Sequence, residues 1–171
     1  MQRYTYDSII QGAESGDPVK MLELAKLYQA GAFGDSDYSE YVYWLEQFFN
    51  NEKVMAITSE LEERYGNNDV DGNSPHSPCF DLESFSIEEY EILRGAIVEA
   101  GLSLGIYYRY SSEKDKLELA MQSLSAALDA SGWDYLVSNE PNGAQESILT
   151  ILNKISDRYN ELGFNEGEKD E

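Results

Sequence analysis

The sequence is poor in the residues that build reactive and metal sites. Its 171 residues include one cysteine, Cys79, and one histidine, His76. A single cysteine cannot form a disulfide within the chain, and a structural zinc site normally needs several nitrogen or sulfur ligands. A nucleophile–base pair also needs an orienting third group and an oxyanion site, and a proline-flanked loop is a poor platform for them. We therefore expect no catalytic set, no metal and no cofactor.

Long hydrophobic runs are missing as well. No apolar stretch approaches the roughly 18 residues that a membrane-spanning helix needs. The N-terminal sequence MQRYTYDSII lacks the basic and apolar blocks of a secretory signal. These absences predict a cytoplasmic protein that does not associate with membranes.

Positive charge is scarce in this chain. Twelve lysines and arginines stand against 33 acidic residues, which gives a formal net charge of -21. Such a surface repels nucleic acid and anionic lipid at long range and attracts cationic partners. The sequence has no basic stripe, no P-loop and no glycine-rich dinucleotide fingerprint. The acidity has three alternative explanations: solubility, adaptation to a salty cytoplasm, or a dedicated basic partner.

Helical patterning is abundant. Asp17-Pro18 is typical of a helix start and Gly31 of a helix end. Pairs with capping-box spacing predict three further starts, at Asp37 with Glu40, Ser86 with Glu89, and Ser112 with Asp115. Apolar residues at helical spacing also predict helices over 52–65 and 148–162, and the repeat resemblance given below implies a further helix over 4–17. We expect about seven helices and no strand.

The segment GNNDVDGNSPHSPCFD, over 66–81, is the longest predicted loop. Its residues 67–72 match the first positions of a calcium-binding EF-hand loop, but Pro78 stands where that loop needs a bidentate glutamate. A polar turn is therefore favoured over a calcium site. Loops of this length tend to be functional or disordered.

The domain organisation follows from these segments. We expect one helical-repeat domain over 1–164, with the long loop at 66–85 between its repeats. The acidic residues 165–171 have nothing to bury and are predicted to form a flexible tail.

The stretch from 16 to 49 carries the spacing of a helix-hairpin repeat. Its pattern is Gly16-Asp17 at the first helix start, Leu24-Ala25 in the middle, Tyr28 and Gly31 at the end, Asp37-Tyr38 before the second helix, and Trp44 within it. The stretch resembles one Sel-one-like repeat, a relative of the tetratricopeptide repeat. It departs from the family at Tyr41 and Phe48, where alanine is preferred, and at Phe33, which replaces the second glycine of the loop.

A second, weaker copy starts near residue 100. Ala100, Leu104, Gly105 and Tyr108 repeat the first-helix signature, while Ser123 takes the tryptophan position. The resemblance covers about half of the chain. It implies an all-α fold of antiparallel helix hairpins, stacked as a short right-handed solenoid, that binds proteins instead of catalysing a reaction.

Aromatic residues suggest where a partner binds. The 13 tyrosines are more than a core requires, and Tyr38, Tyr41 and Tyr43 with Trp44 cover more than one side of a helix, so Tyr43 should face outward. Exposed rings among carboxylates are typical of surfaces that bind arginine- and lysine-rich proteins, although packing between repeats also accounts for them. The predicted contact residues are Asp35, Asp37, Tyr38, Glu40, Tyr43, Trp44, Asp69 and Asp71.

The leading functional hypothesis is an immunity protein that binds and neutralises a cognate basic toxin, such as a cationic nuclease. A DNA mimic that inhibits a nucleic-acid-binding protein and a general Sel-one-like adaptor are the alternatives. No nucleic-acid or membrane partner is expected, because the acidic surface repels both. The sequence leaves the oligomeric state open, and we expect the free protein to be a monomer.

Overall fold

The computed structural model describes residues 2–63, 85–132 and 143–164, and within these ranges it contains seven α-helices and no strand. The helices are α1 (Gln2–Glu14), α2 (Pro18–Ala30), α3 (Tyr38–Phe49), α4 (Glu52–Leu61), α5 (Ile87–Tyr108), α6 (Lys114–Ala130) and α7 (Gly143–Glu161). The expected all-α fold is confirmed. The long loop at 66–84 and the tail at 165–171 lie outside the described residues.

Three of the helix starts follow from local chemistry. Asp17, Asp37 and Ser86 each take the N-cap position, and their side-chain oxygens accept backbone N–H bonds of 3.0, 3.1 and 3.0 Å. Each bond satisfies a donor that the first turn of a helix leaves unpaired. Gly31 ends α2 in the left-handed conformation, with φ of 76°. These four predicted boundaries are confirmed.

The predicted start of α6 is wrong. Glu113 takes the N-cap position without a side-chain capping bond, and Ser111 accepts the Glu113 N–H at 3.1 Å. Ser112, the predicted cap, instead accepts a hydrogen bond of 3.1 Å from Arg158 of α7. A tertiary contact therefore replaces the local cap. The α4 helix ends at Leu61, and the predicted end at residue 65 lies outside the described residues.

Neighbouring helices along the chain pack as antiparallel pairs. Contacts join α1 with α2, α2 with α3, α5 with α6, and α6 with α7. The direction of the α5–α6 pair follows from Arg94, near the start of α5, which bonds to the carbonyl of Ala130 at the end of α6. The α5 helix also contacts α2, α3, α4 and α7, so it joins the two halves of the molecule. The stacking of these pairs as a right-handed solenoid stays a prediction.

The core consists of the residues that the helical spacing placed on inner faces. The largest fully buried side chains are Phe48, Leu24, Leu45, Ile57, Leu61, Leu93, Ile97, Leu104, Leu117, Leu124, Ile148 and Ile155. Phe48 stands where the resembled repeat prefers alanine, and it is completely buried. A large ring at this position fills space that a small residue would leave open.

The α5 and α6 helices approach each other closely at two glycines of α5. A methyl group added at Gly101 would overlap the backbone carbonyl oxygen of Ser123, and one added at Gly105 would lie 2.5 Å from Cγ of Leu124. Such distances are well inside van der Waals contact. The two glycines therefore set the separation of these helices, because no side chain fits between them.

We expect Gly101→Ala to lower the free energy of unfolding by about 2–3 kcal/mol, because the new methyl group forces α5 away from α6. Gly95→Ala is the matched control in the same helix. Gly95 is exposed and has open space around its Cα, so the change should stabilise the protein by about 0.5–1 kcal/mol. Urea denaturation followed by circular dichroism measures both. Equal stability of the two variants would contradict this account of the packing.

Candidate partner-binding surface

The predicted contact residues are placed mainly around α3. Asp35 is exposed in the loop before this helix, while Asp37 and Glu40 are half-buried at its start. Tyr38 and Tyr43 are 50% and 49% exposed, which confirms that Tyr43 faces outward. Asp69, Asp71, His76 and Cys79 lie outside the described residues.

These residues do not form one continuous surface. Each residue of an α-helix advances by about 100°, so Tyr38 and Tyr43 lie about 140° apart around α3. Tyr38 contacts Tyr107 of α5, with ring centroids 6.2 Å apart. Tyr43 contacts Trp44, with centroids 5.1 Å apart. The predicted aromatic set therefore divides between two sides of the helix.

The Tyr43–Trp44 side offers one exposed ring. Trp44 is half-buried against the core, and its indole N–H is buried with no acceptor among the described residues. A buried donor without an acceptor costs free energy. The position of the Trp44 ring is therefore explained by its packing against the core and not by a hydrogen bond. Tyr43 is the exposed member of the pair.

The other side carries four tyrosines from two helices, Tyr38 and Tyr41 of α3 with Tyr107 and Tyr108 of α5, which we call the tyrosine cluster. Tyr41 and Tyr108 form its buried base, at 5% and 9% exposure. Tyr38 and Tyr107 form its outer layer, at 50% and 42% exposure. The rings of the outer layer lie nearly parallel, at 24°. The cluster thus presents two stacked, half-exposed tyrosines at the joint of α3 and α5.

Carboxylates surround the hydroxyl groups of the buried base. The hydroxyl of Tyr108 donates a hydrogen bond to Glu46 at 3.3 Å. Burial raises the pKa of Tyr108, and the carboxylates of Glu46 and Glu113 raise it further. Burial likewise raises the pKa of Tyr41, and Glu99 adds to the effect. These hydroxyls therefore stay protonated at neutral pH and bring no negative charge of their own.

A second group of carboxylates lies at the loop between α2 and α3. Burial raises the pKa of Tyr28, and the carboxylates of Glu40 and Asp37 raise it further. The ring of Phe33 packs on Tyr28 with centroids 4.9 Å apart. Phe33 replaces a glycine of the resembled repeat, and the second left-handed glycine of the loop is Gly34, with φ of 133°. The second glycine of the loop therefore lies one residue later than in the resembled repeat. The ring of Phe33 covers Tyr28.

Ion pairs within the protein engage four of its lysines. Three of these pairs join different helices, namely Lys26–Glu99 at 2.6 Å, Lys53–Glu89 at 2.8 Å and Lys116–Glu46 at 3.8 Å. The fourth, Lys20–Glu23, lies within α2 at 3.2 Å. These lysines are at least partly exposed, so each pair adds little stability. These ion pairs hold the four lysine charges next to the protein's own carboxylates.

Arg94 and Arg158 bind backbone carbonyls at or just after helix ends. Arg94 donates two hydrogen bonds to the carbonyl of Ala130, at 3.1 and 3.0 Å. Arg158 donates to the carbonyls of Ser111 at 2.7 Å and Tyr110 at 3.0 Å. The carbonyl end of a helix carries partial negative charge, which a guanidinium neutralises. Within the described ranges, Lys114 and Lys154 are exposed without such contacts.

An open groove of about 520 Å³ lies where the α1–α2 turn meets α4 and α5. Asp17, Pro18, Lys53, Glu89 and Leu93 line part of it. Its charged groups are already engaged, because Asp17 caps α2 and Lys53 pairs with Glu89. The groove therefore offers a ligand apolar contacts and few free polar groups.

The described part of the chain contains no group of three or more histidine, cysteine, aspartate or glutamate side chains placed to hold a metal ion. None of its described helices is both long enough and apolar enough to cross a membrane.

The chain has no significant match among protein-family models, curated proteins or solved structures. The resemblance to Sel-one-like repeats therefore depends on the residues quoted above.

Asp129 of α6 is a half-buried carboxylate. Burial, followed by the carboxylate of Glu62, raises the pKa of Asp129 from 3.8 to about 7. A raised pKa means that the folded protein binds a proton that the unfolded chain releases. The resulting stability is present below about pH 4 and is lost as the pH rises through about 7.

We expect Asp129→Asn to be more stable than the wild type at pH 8, by on the order of 1 kcal/mol because solvent screens a partly exposed group. The advantage should shrink as the pH falls toward 5. Thermal melting at both pH values measures it, with the exposed Asp157→Asn as control. A difference that does not vary with pH would contradict the proposed protonation.

We expect Arg158→Gln to lower the free energy of unfolding by about 1–3 kcal/mol, because two carbonyls at the end of α5 lose a charged donor. Lys154→Gln removes the same charge from an exposed position of α7 and should stay within about 0.5 kcal/mol of the wild type. Chemical denaturation compares the two. Equal losses would show that Arg158 acts only through its net charge.

Proposed function

We propose that this protein is a binding module that captures a positively charged protein through its acidic, tyrosine-bearing surface. One observation carries the proposal. The lysines and arginines of the described part are mostly engaged with the protein's own carboxylates, carbonyls and rings. Exposed carboxylates such as Asp35 are therefore left to attract cations from outside.

In this proposal, the net negative charge attracts the partner and the exposed tyrosine rings hold it. The net charge of -21 accelerates the encounter with a basic protein. Half-exposed rings such as Tyr38 and Tyr107 then supply apolar contact area at low conformational cost. Helical pairs of the Sel-one-like type suit this role, because stacked hairpins leave extended surfaces free for partners.

The partner class that we propose is a cognate basic toxin, such as a cationic nuclease, which this protein neutralises as an immunity protein. The support is the combination of small size, strong acidity and a surface whose exposed rings lie among carboxylates. Blocking a cationic active surface needs charge and shape but no catalytic residue in the blocking protein. The tagged full chain, recovered from its native cell, should carry a basic protein that elutes as salt is raised.

A charge-removal variant tests the sequence-predicted carboxylates. The changes Asp35→Asn, Asp37→Asn and Glu40→Gln remove three charges near α3, and asparagine at 37 keeps the helix cap. The control, Glu146→Gln with Asp157→Asn and Glu161→Gln, removes three charges from α7. We expect the first variant to bind the captured partner with an on-rate about three- to tenfold lower at low salt, and the control to change less.

Stopped-flow or surface-plasmon measurements over a series of salt concentrations give these rates. The wild-type on-rate should fall steeply as salt rises, since screening weakens the attraction between exposed charges. An on-rate that is independent of salt, or a captured partner that is acidic, would contradict the proposal.

A further inference from the structure

We propose that the tyrosine cluster is an arginine-binding surface, on which Tyr38 and Tyr107 stack with guanidinium groups of the partner. The inference rests on the proposed function and adds two statements to it. It places the contact at the joint of α3 and α5, and it states that the partner presents arginine in preference to lysine.

The outer rings are held in place before a partner arrives. Tyr38 contacts Tyr41 at a centroid distance of 6.0 Å, and Tyr107 contacts Tyr108 at 5.0 Å. Since Tyr41 and Tyr108 are buried, each exposed ring stands on a fixed neighbour. A preorganised aromatic surface loses little side-chain entropy on binding.

Other tyrosine rings of the molecule, one of them in the base of the cluster, already hold cations. The guanidinium of Arg109 lies 4.7 Å from the ring centre of Tyr110, and the ammonium of Lys116 lies 5.3 Å from that of Tyr108. Both distances are within the range of cation–π attraction. Among the described residues, no cation lies over Tyr38 or Tyr107 in this way. The two half-exposed rings of the cluster thus hold no cation of the protein's own.

Carboxylates without ion-pair partners flank the cluster. Asp37 and Glu40 lie at the same end of α3 as Tyr38, and Glu113 is close enough to Tyr108 to influence its pKa. Within the described ranges none of these three forms an ion pair, whereas Glu46 and Glu99 do. A cation on the ring of Tyr38 would therefore meet the negative charge of Asp37 and Glu40 at the start of α3.

Arginine fits such a surface better than lysine does. Its guanidinium is planar, so it can stack on a ring and donate in-plane hydrogen bonds to a carboxylate at the same time. The ammonium of lysine is compact and strongly hydrated, which makes its removal from water less favourable. Stacked rings with carboxylates beside them match the planar guanidinium of arginine.

The test uses the full chain with two labelled peptides of equal length, poly-arginine and poly-lysine, measured by fluorescence anisotropy at one ionic strength. We expect the wild type to bind poly-arginine more tightly, and Tyr38→Leu with Tyr107→Leu to weaken that binding about tenfold. Tyr43→Leu is the matched control, because Tyr43 is equally exposed on another side of α3. It should keep the preference for arginine.

The variant Tyr38→Phe with Tyr107→Phe should also keep the preference, since it retains both ring faces. If the leucine variant does not fold, the ring resonances of Tyr38 and Tyr107 in the wild type provide the second measurement. Poly-arginine should shift them more than it shifts those of Tyr43. Larger shifts at Tyr43, or equal shifts at all three, would overturn the inference.

The outcomes separate this inference from the proposed function. If neither peptide binds even at low salt, the proposed function fails together with the inference. If both bind and the leucine variant keeps the wild-type preference, only the inference fails, and binding by charge alone remains. If Tyr43→Leu abolishes the preference while the double variant keeps it, the contact lies on the other side of α3 and the inference is overturned.

Discussion

The scarcity of positive charge is the constraint on which the rest of this structure depends. With 12 basic residues against 33 acidic ones, the chain has few cations with which to neutralise helix ends and neighbouring carboxylates. Arg94 and Arg158 bind carbonyls at the ends of α6 and α5, and Lys26 and Lys116 pair with carboxylates of other helices. These cations are engaged with groups of the protein itself, and the excess of 33 acids over 12 bases leaves the molecule strongly negative.

The α5 helix connects the stability of the fold with the candidate surface. Gly101 and Gly105 allow it to approach α6 closely, and its last turn carries Tyr107 and Tyr108 to α3. Arg158 of α7 binds the carbonyls just beyond that turn. The position of the tyrosine cluster therefore depends on contacts made by four helices, and packing changes around α5 should affect the cluster as well.

Local signals predicted the features that depend on a few consecutive residues. The caps at Asp17, Asp37 and Ser86 and the end of α2 at Gly31 need only their own neighbours. Ser112 has the same local signature, but Arg158, 46 residues away, binds its hydroxyl. Local sequence patterns do not show that Arg158 binds the hydroxyl that would otherwise cap the helix.

The candidate site was predicted only in part for the same reason. Tyr38 and Tyr43 were both expected at the surface, and both are exposed. Tyr107 was missed, because its contact with Tyr38 depends on how α3 and α5 meet. Its one local signal is that it is an aromatic residue beside the apolar stripe of α5, next to the buried Tyr108.

A structure of the full chain with its captured basic partner tests the central claim most directly. The account predicts arginine side chains of that partner on the faces of Tyr38 and Tyr107, with carboxylates at the edges of the α3–α5 joint. A complex in which this joint stays exposed to solvent, and the partner is held on another face through uncharged contacts, would contradict it.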